Sequence, residues 1–148
     1  MSNRLESTSA PLASEFRNSD LTHQLRAICD ACVLVVAQTG LTDDEVMQSI
    51  EFLRSGQGDR QALSRKMQKL SERRDNEYLK LQEQGDDSTD AEGLRRFSEA
   101  RAASALQFAL SEEPQALYEA LYEAMASSDD PTPVISVVRQ ALRSPPAI

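Results

Sequence analysis

Apolar side chains recur at helical spacing through most of this chain. Leu21, Leu25, Ile28, Cys32 and Val35 make one stripe, widened by Cys29, Leu34 and Val36. It predicts a helix from about residue 21 to Gly40, capped by Ser19 or Asp20. A helix apolar on most sides belongs near the centre of a bundle. The apolar run 33–36 has no second strand signal to pair with, so the helix reading holds. Val46, Met47, Ile50 and Leu53, with Phe52 beside them, predict a second helix. Thr42-Asp43-Asp44-Glu45 reads as its capping box, hydroxyl and carboxylate each taking an orphan backbone N–H. Gly56 and Gly58 stop it.

A third helix is predicted over about 59–84. Leu63, Met67, Leu70, Tyr78 and Leu81 mark its stripe, and Arg74 and Glu77 interrupt it. At about 25 residues it is roughly 37 Å long, with a far half that has few apolar residues to bury. After a polar turn at 85–90, Thr89-Asp90-Ala91-Glu92 repeats the capping-box signature before a fourth helix that ends near Leu110. Its face is Leu94, Phe97, Arg101 or Ala102, Ala105 and Phe108, and its small-residue cluster 100–105 lets neighbours approach on more than one side. A fifth helix follows Ser111 and carries ALYEALYEAM. A sixth, with Thr132 as cap and Pro133 at its first position, shows Val134, Ile135, Val138 and Leu142 on one face. The expected architecture is all-α: about six helices in one bundle over 18–144, with helices three and four as a long antiparallel hairpin. Residues 1–17 read as a loose arm, which Leu12 and Phe16 can pin at its end.

Charge narrows the function classes. The chain has 148 residues, with 24 acids against 16 bases, a net charge of −8, one His and two Cys. That balance argues against nucleic acid as partner and suits a protein partner with a basic face. The 31–37 run is far shorter than the roughly 20 residues of a membrane span, and no leader pattern opens the sequence, so a cytoplasmic protein without a membrane role is expected. The one basic concentration, Arg65, Lys66, Lys69, Arg73, Arg74 and Lys80, interleaves with Glu72, Asp75 and Glu77. Helical i,i+3 and i,i+4 ion pairs account for that pattern.

Candidate chemistry is sparse. Cys29-Asp30-Ala31-Cys32 is a CxxC, but it lies mid-helix among aliphatics, where burial makes a thiol inert. With His23 as the sole imidazole, the ligand count of a zinc site fails, and no metal or cofactor is expected. Any nucleophile scheme would have to route through His23, whose polar neighbours suit a boundary position. The sequence has no GxSxG elbow, Walker loop or GxGxxG. Tyr118 and Tyr122 stand four apart beside Glu119 and Glu123, with Asp129 and Asp130 following. Tyrosine favours interfaces because it joins a large apolar body to a polar tip. The alternative is that both rings pack on the N-terminal arm or on the last helix.

Residues 41–58, LTDDEVMQSIEFLRSGQG, resemble a helix in the N-terminal helical domain of intradiol catechol dioxygenases. Those enzymes bind iron through two Tyr and two His in a following β-rich domain. A chain with one His and no such domain does not inherit that activity.

The function expected is therefore non-catalytic. The chain would bind and control a partner protein, as an immunity-type inhibitor, adaptor or chaperone, through an acidic surface of Tyr118, Glu119, Tyr122, Glu123, Asp129 and Asp130. One alternative is a homo-oligomeric structural protein, a dimer joined through a seam of Leu63, Met67 and Leu70. Another is a metal-dependent enzyme using scattered Asp and Glu.

Overall fold

The computed structural model describes residues 9–85, 87–111 and 113–144, and the backbone alone for 87–90. Among the described residues the chain is all-helical. Seven helices follow in order: α1 Ala10–Arg17, α2 Leu21–Thr39, α3 Asp44–Ser55, α4 Arg60–Gln84, α5 Asp87–Ala109, α6 Pro114–Ala126 and α7 Thr132–Arg143.

The helix count exceeds the expected six because residues 10–17 fold as α1 rather than as a loose arm. Leu12, Ala13 and Phe16 are fully buried, and Pro11 opens the helix. Polar contacts fix it from two sides. Glu15 accepts from Arg139 Nε at 2.7 Å and from Arg143 Nη2 at 2.8 Å, joining α1 to α7. The Arg139 hydrogen bond, foremost, holds the Glu15 carboxyl below its ordinary range. Gln24 Nε2 donates to the Phe16 carbonyl at 2.7 Å. The part of the arm before residue 9 lies outside the described residues.

Several helix ends follow their sequence signals. The Asp20 carboxylate accepts the His23 N–H, and Gly40 closes α2 in the left-handed region at φ 76°. Asp59 caps α4 through the Ala62 N–H. Others shift. Asp43, not Thr42, is the cap of α3, and it makes no side-chain cap hydrogen bond. Its carboxylate lies 3.9 Å from Arg74 of α4. Helix α5 begins at Asp87, which places Thr89 inside the helix. Glu113 and Pro131 occupy the cap positions of α6 and α7, where Ser111 and Thr132 were expected.

Helix α5 occupies the middle. It packs along α4 and against α6, α2 and α3, and residues 100, 102, 103, 104, 105 and 106 are all buried. Only small side chains allow a helix to be approached closely from several directions. Along the α4–α5 pair, Ser64 meets Gln107, Ser71 meets Ser104 and Ala100, and Tyr78 meets Phe97. Partners advance on one helix as they retreat on the other, so the two run antiparallel. Helix α2 packs on α7, α5, α6 and α3, burying Ala27, Ile28, Ala31, Cys32, Val35 and Val36. Leu21 and Leu25 in its first two turns, expected on the inward stripe, are exposed, as is Met47 on α3.

Candidate interaction surface

The predicted Tyr–Glu surface on α6 is largely turned to internal contacts. The Tyr118 ring packs edge-on against Phe16, with centroids 5.1 Å apart at 79°. Glu123 is 3% exposed and accepts from Arg101 Nη1 at 3.1 Å. It is therefore part of the interior and not of a surface patch. Glu119 and Tyr122 are half-buried. Asp129 and Asp130 are exposed, and Asp130 takes the Thr132 N–H at the start of α7. Bonding to Thr132 holds the Asp130 carboxyl below its ordinary range.

Leu63, Met67 and Leu70, expected as a dimer seam, are buried within the chain, Met67 completely. The stripe that was to cover a second copy covers this chain's own core, against α5 and α3. A seam through these three residues would require opening the bundle.

Beyond this core, charged pairs replace aliphatic packing along α4 and α5. Arg74 lies 3.1 Å from Glu77 and 3.4 Å from Glu99. Arg96 lies 3.1 Å from Glu77, 2.9 Å from Glu92 and 3.1 Å from Glu99. Arg101 bridges Asp75, at 2.7 Å, and Glu123, at 3.1 Å. The interruptions at Arg74 and Glu77 signalled this network in the sequence. Their partners on α5, Arg96 and Glu99, 19 and 25 positions away, carried no such signal.

The outer half of the α4–α5 hairpin is thinly packed. No described residue of α4 beyond Ser71 is buried, and between Ala91 and Ser98 on α5 only Gly93 is. Tyr78 lies over Gly93 and tilts against Phe97 at 5.5 Å. A Cβ at Gly93 would meet the Tyr78 ring at 3.7 Å, an ordinary van der Waals contact. Two leucines on this projection face solvent, Leu79 at 56% and Leu94 at 58% exposure.

The groups that would carry chemistry have structural partners. His23 Nδ1 lies 2.7 Å from Asp20 Oδ1, and Nε2 lies 2.9 Å from the Ser144 carbonyl oxygen. Both partners are acceptors, so the doubly protonated ring satisfies both. Asp20 first, then the Ser144 carbonyl, raises the His23 pKa above its ordinary value, with Arg26 opposing. Cys29 and Cys32 are free thiols, and burial pushes both upward in pKa. Among the described residues no three His, Cys, Asp or Glu side chains are placed to hold a metal ion. No described helix is long and apolar enough to cross a membrane. A cleft of about 410 Å³ lies between the end of α3 and the start of α4, lined by Gln48, Glu51, Asp59, Leu63 and Lys66 among others.

The His23 geometry gives a pH prediction. Its folded pKa is raised, so its stabilising effect is complete below the unfolded value of about 6.5 and is lost as pH rises through the folded value. Amide hydrogen exchange in the last turn of α7, corrected for intrinsic rate, is expected to quicken on going from about pH 6 to about pH 9. His23→Gln, which keeps a donor but does not titrate, should flatten this response. An equal response in the variant would assign it to other groups.

Comparison with protein-family models, curated proteins and solved structures returned no match. The resemblance at residues 41–58 is thus one of local sequence.

Proposed function

We propose that the protein is a non-catalytic helical module that binds and controls a partner protein, in the manner of an immunity-type inhibitor, adaptor or chaperone. The observation that carries this reading is the projecting half of the α4–α5 hairpin, with Leu79 and Leu94 open to solvent. Such a projection has little to gain from the chain's own core, and burying the exposed half of each leucine against a partner is worth about 1 kcal/mol. The surroundings of His23 and of the two thiols support a non-catalytic reading, since each is engaged or buried for structural reasons. Free thiols fit a reducing compartment, so we place the protein in the cytoplasm. On the α6 side, Asp129 and Asp130 are the exposed acids that a basic partner would meet.

The test is site-specific photocrosslinking in the cells that make the protein. A photoreactive amino acid is placed at position 79, at position 94, or at exposed Ser136 on α7 as a control. One adduct with a second protein is expected from 79 and 94 and none from 136. An adduct at twice the chain's own mass would make the hairpin end a homodimer contact and overturn the proposal. Crosslinking equally from all three positions would also overturn it.

A further inference from the structure

The chain has three lysines, Lys66, Lys69 and Lys80, and all lie on α4. At about 100° per residue they fall, with Arg73, within an arc of about 60°. The stripe they form is about 21 Å long, and all four side chains are exposed. None of these four cations is ion-paired to a described carboxylate. Arg74, Asp75 and Glu77 of the same helix, by contrast, are held in ion pairs. The carboxylates of Glu77 and Glu92, which share a groove with Lys80, are already held by Arg74 and Arg96. Glu72 accepts from Gln68. A chain of net charge −8 thus carries an exposed cationic stripe along one flank of its projecting hairpin.

We infer that this stripe docks an acidic segment of the partner protein, a run of Asp and Glu lying along Lys69, Arg73 and Lys80 and followed by a neutral or apolar residue at Lys66. The inference rests on the reading of the hairpin as a partner-binding arm and names the chemistry of what it binds. Three observations favour a short acidic peptide over other anions. Every phosphate of a nucleic acid or anionic lipid surface beyond the stripe would face a molecule whose remaining charge is strongly negative, whereas a peptide segment can end where the stripe ends. The stripe carries no aromatic residue on which a base could stack. Lysines also suit a solvated, adaptable contact with carboxylates, in contrast to the arginines that this chain uses for its fixed internal pairs. The stripe runs at its Lys66 end into the α3–α4 cleft, where Glu51 and Asp59 stand at the rim beside Leu63. Those two acids exclude carboxylates there, so the acidic run lies on the Lys69–Lys80 side and a neutral or apolar residue reaches the cleft.

The probe is a fluorescein-labelled deca-glutamate peptide, followed by anisotropy at low ionic strength with the full chain. Single-stranded oligothymidylate and phosphatidylserine vesicles serve as competing anions. Lys69→Glu/Arg73→Glu is compared with Arg26→Glu/Arg54→Glu, which changes net charge equally at exposed positions off the stripe. Binding of the peptide should fall about tenfold or more in the first variant and much less in the second. Equal loss in both variants would mean that global charge alone acts and would overturn the inference. So would tighter binding of the oligonucleotide or the vesicles than of the peptide, or no peptide binding at all. Crosslinking from positions 79 and 94 that persists in Lys69→Glu/Arg73→Glu would leave the partner-binding reading standing while removing the acidic segment from it.

Discussion

Phe16→Ala is expected to destabilise the protein by about 4 kcal/mol, as removal of a fully buried phenylalanine generally does. Phe16 is 0% exposed and lies in the central cluster beside Leu12 and Tyr118. Its truncation loses the transfer free energy of the ring and the edge contact with Tyr118, and it leaves a void where α1, α2 and α6 meet. For a chain of this size the melting temperature should drop by roughly 12 °C. Ser14→Ala, on the exposed side of the same helix, should stay within about 0.5 kcal/mol. Urea unfolding of the three proteins measures both. A loss below about 1 kcal/mol for Phe16→Ala would show that α1 contributes no more than a frayed terminus.

That α1 escapes a reading of the sequence has a physical cause. Eight residues are too few to show a period, and a helix that short has no stability of its own in water. Leu12 and Phe16, four apart, were visible as anchors. What turns them into a helix is the tertiary site formed by α2, α6 and α7. The longer helices needed no such help. Their stripes, the Asp20 and Asp59 caps and the glycines at 40, 56 and 85 are local signals, and the structure keeps them. The Thr42 signal was off by one residue: Asp43 takes the cap position of α3 without a side-chain cap hydrogen bond.

The interaction surface was less legible for the same reason. A stripe such as Leu63, Met67 and Leu70 shows that something covers it, but the pattern is identical whether the cover is α5 or a second copy. The basic run on α4 was expected to be neutralised by Glu72, Asp75 and Glu77. In the folded chain, Arg101 takes Asp75, and Arg74 and Arg96 take Glu77. Arginines brought in by α5 hold two of the carboxylates that a helix-only account assigns to the lysines, and the lysines are left facing solvent. The Tyr–Glu surface on α6 fared similarly: the packing of Tyr118 on Phe16 was the alternative the sequence left open, while the burial of Glu123 carried no signal in it.

Arg101→Ala should cost about 3 kcal/mol, because it removes the guanidinium facing a carboxylate with almost no access to water. Glu123 is buried in α6, and Arg101 reaches it at 3.1 Å while its other terminal nitrogen binds Asp75 at 2.7 Å. The same guanidinium lies 5.4 Å from the Phe97 ring centroid, so its stem and plane also fill space. An exposed ion pair would be worth at most about 1 kcal/mol; the larger value follows from taking the Arg101 guanidinium away from a buried carboxylate. The double variant Arg101→Met/Glu123→Leu tests this directly. It removes both charges and keeps apolar bulk, and replacement of a buried pair in this way is commonly near neutral. Urea unfolding should therefore place the double variant close to the wild type and well above Arg101→Ala. If instead the double variant is as unstable as Arg101→Ala, the stability at stake comes from the packing of the arginine stem on Phe97. If Arg101→Ala loses less than about 1 kcal/mol, the pair behaves as a surface contact, and the packing of α5 against α6 owes little to it.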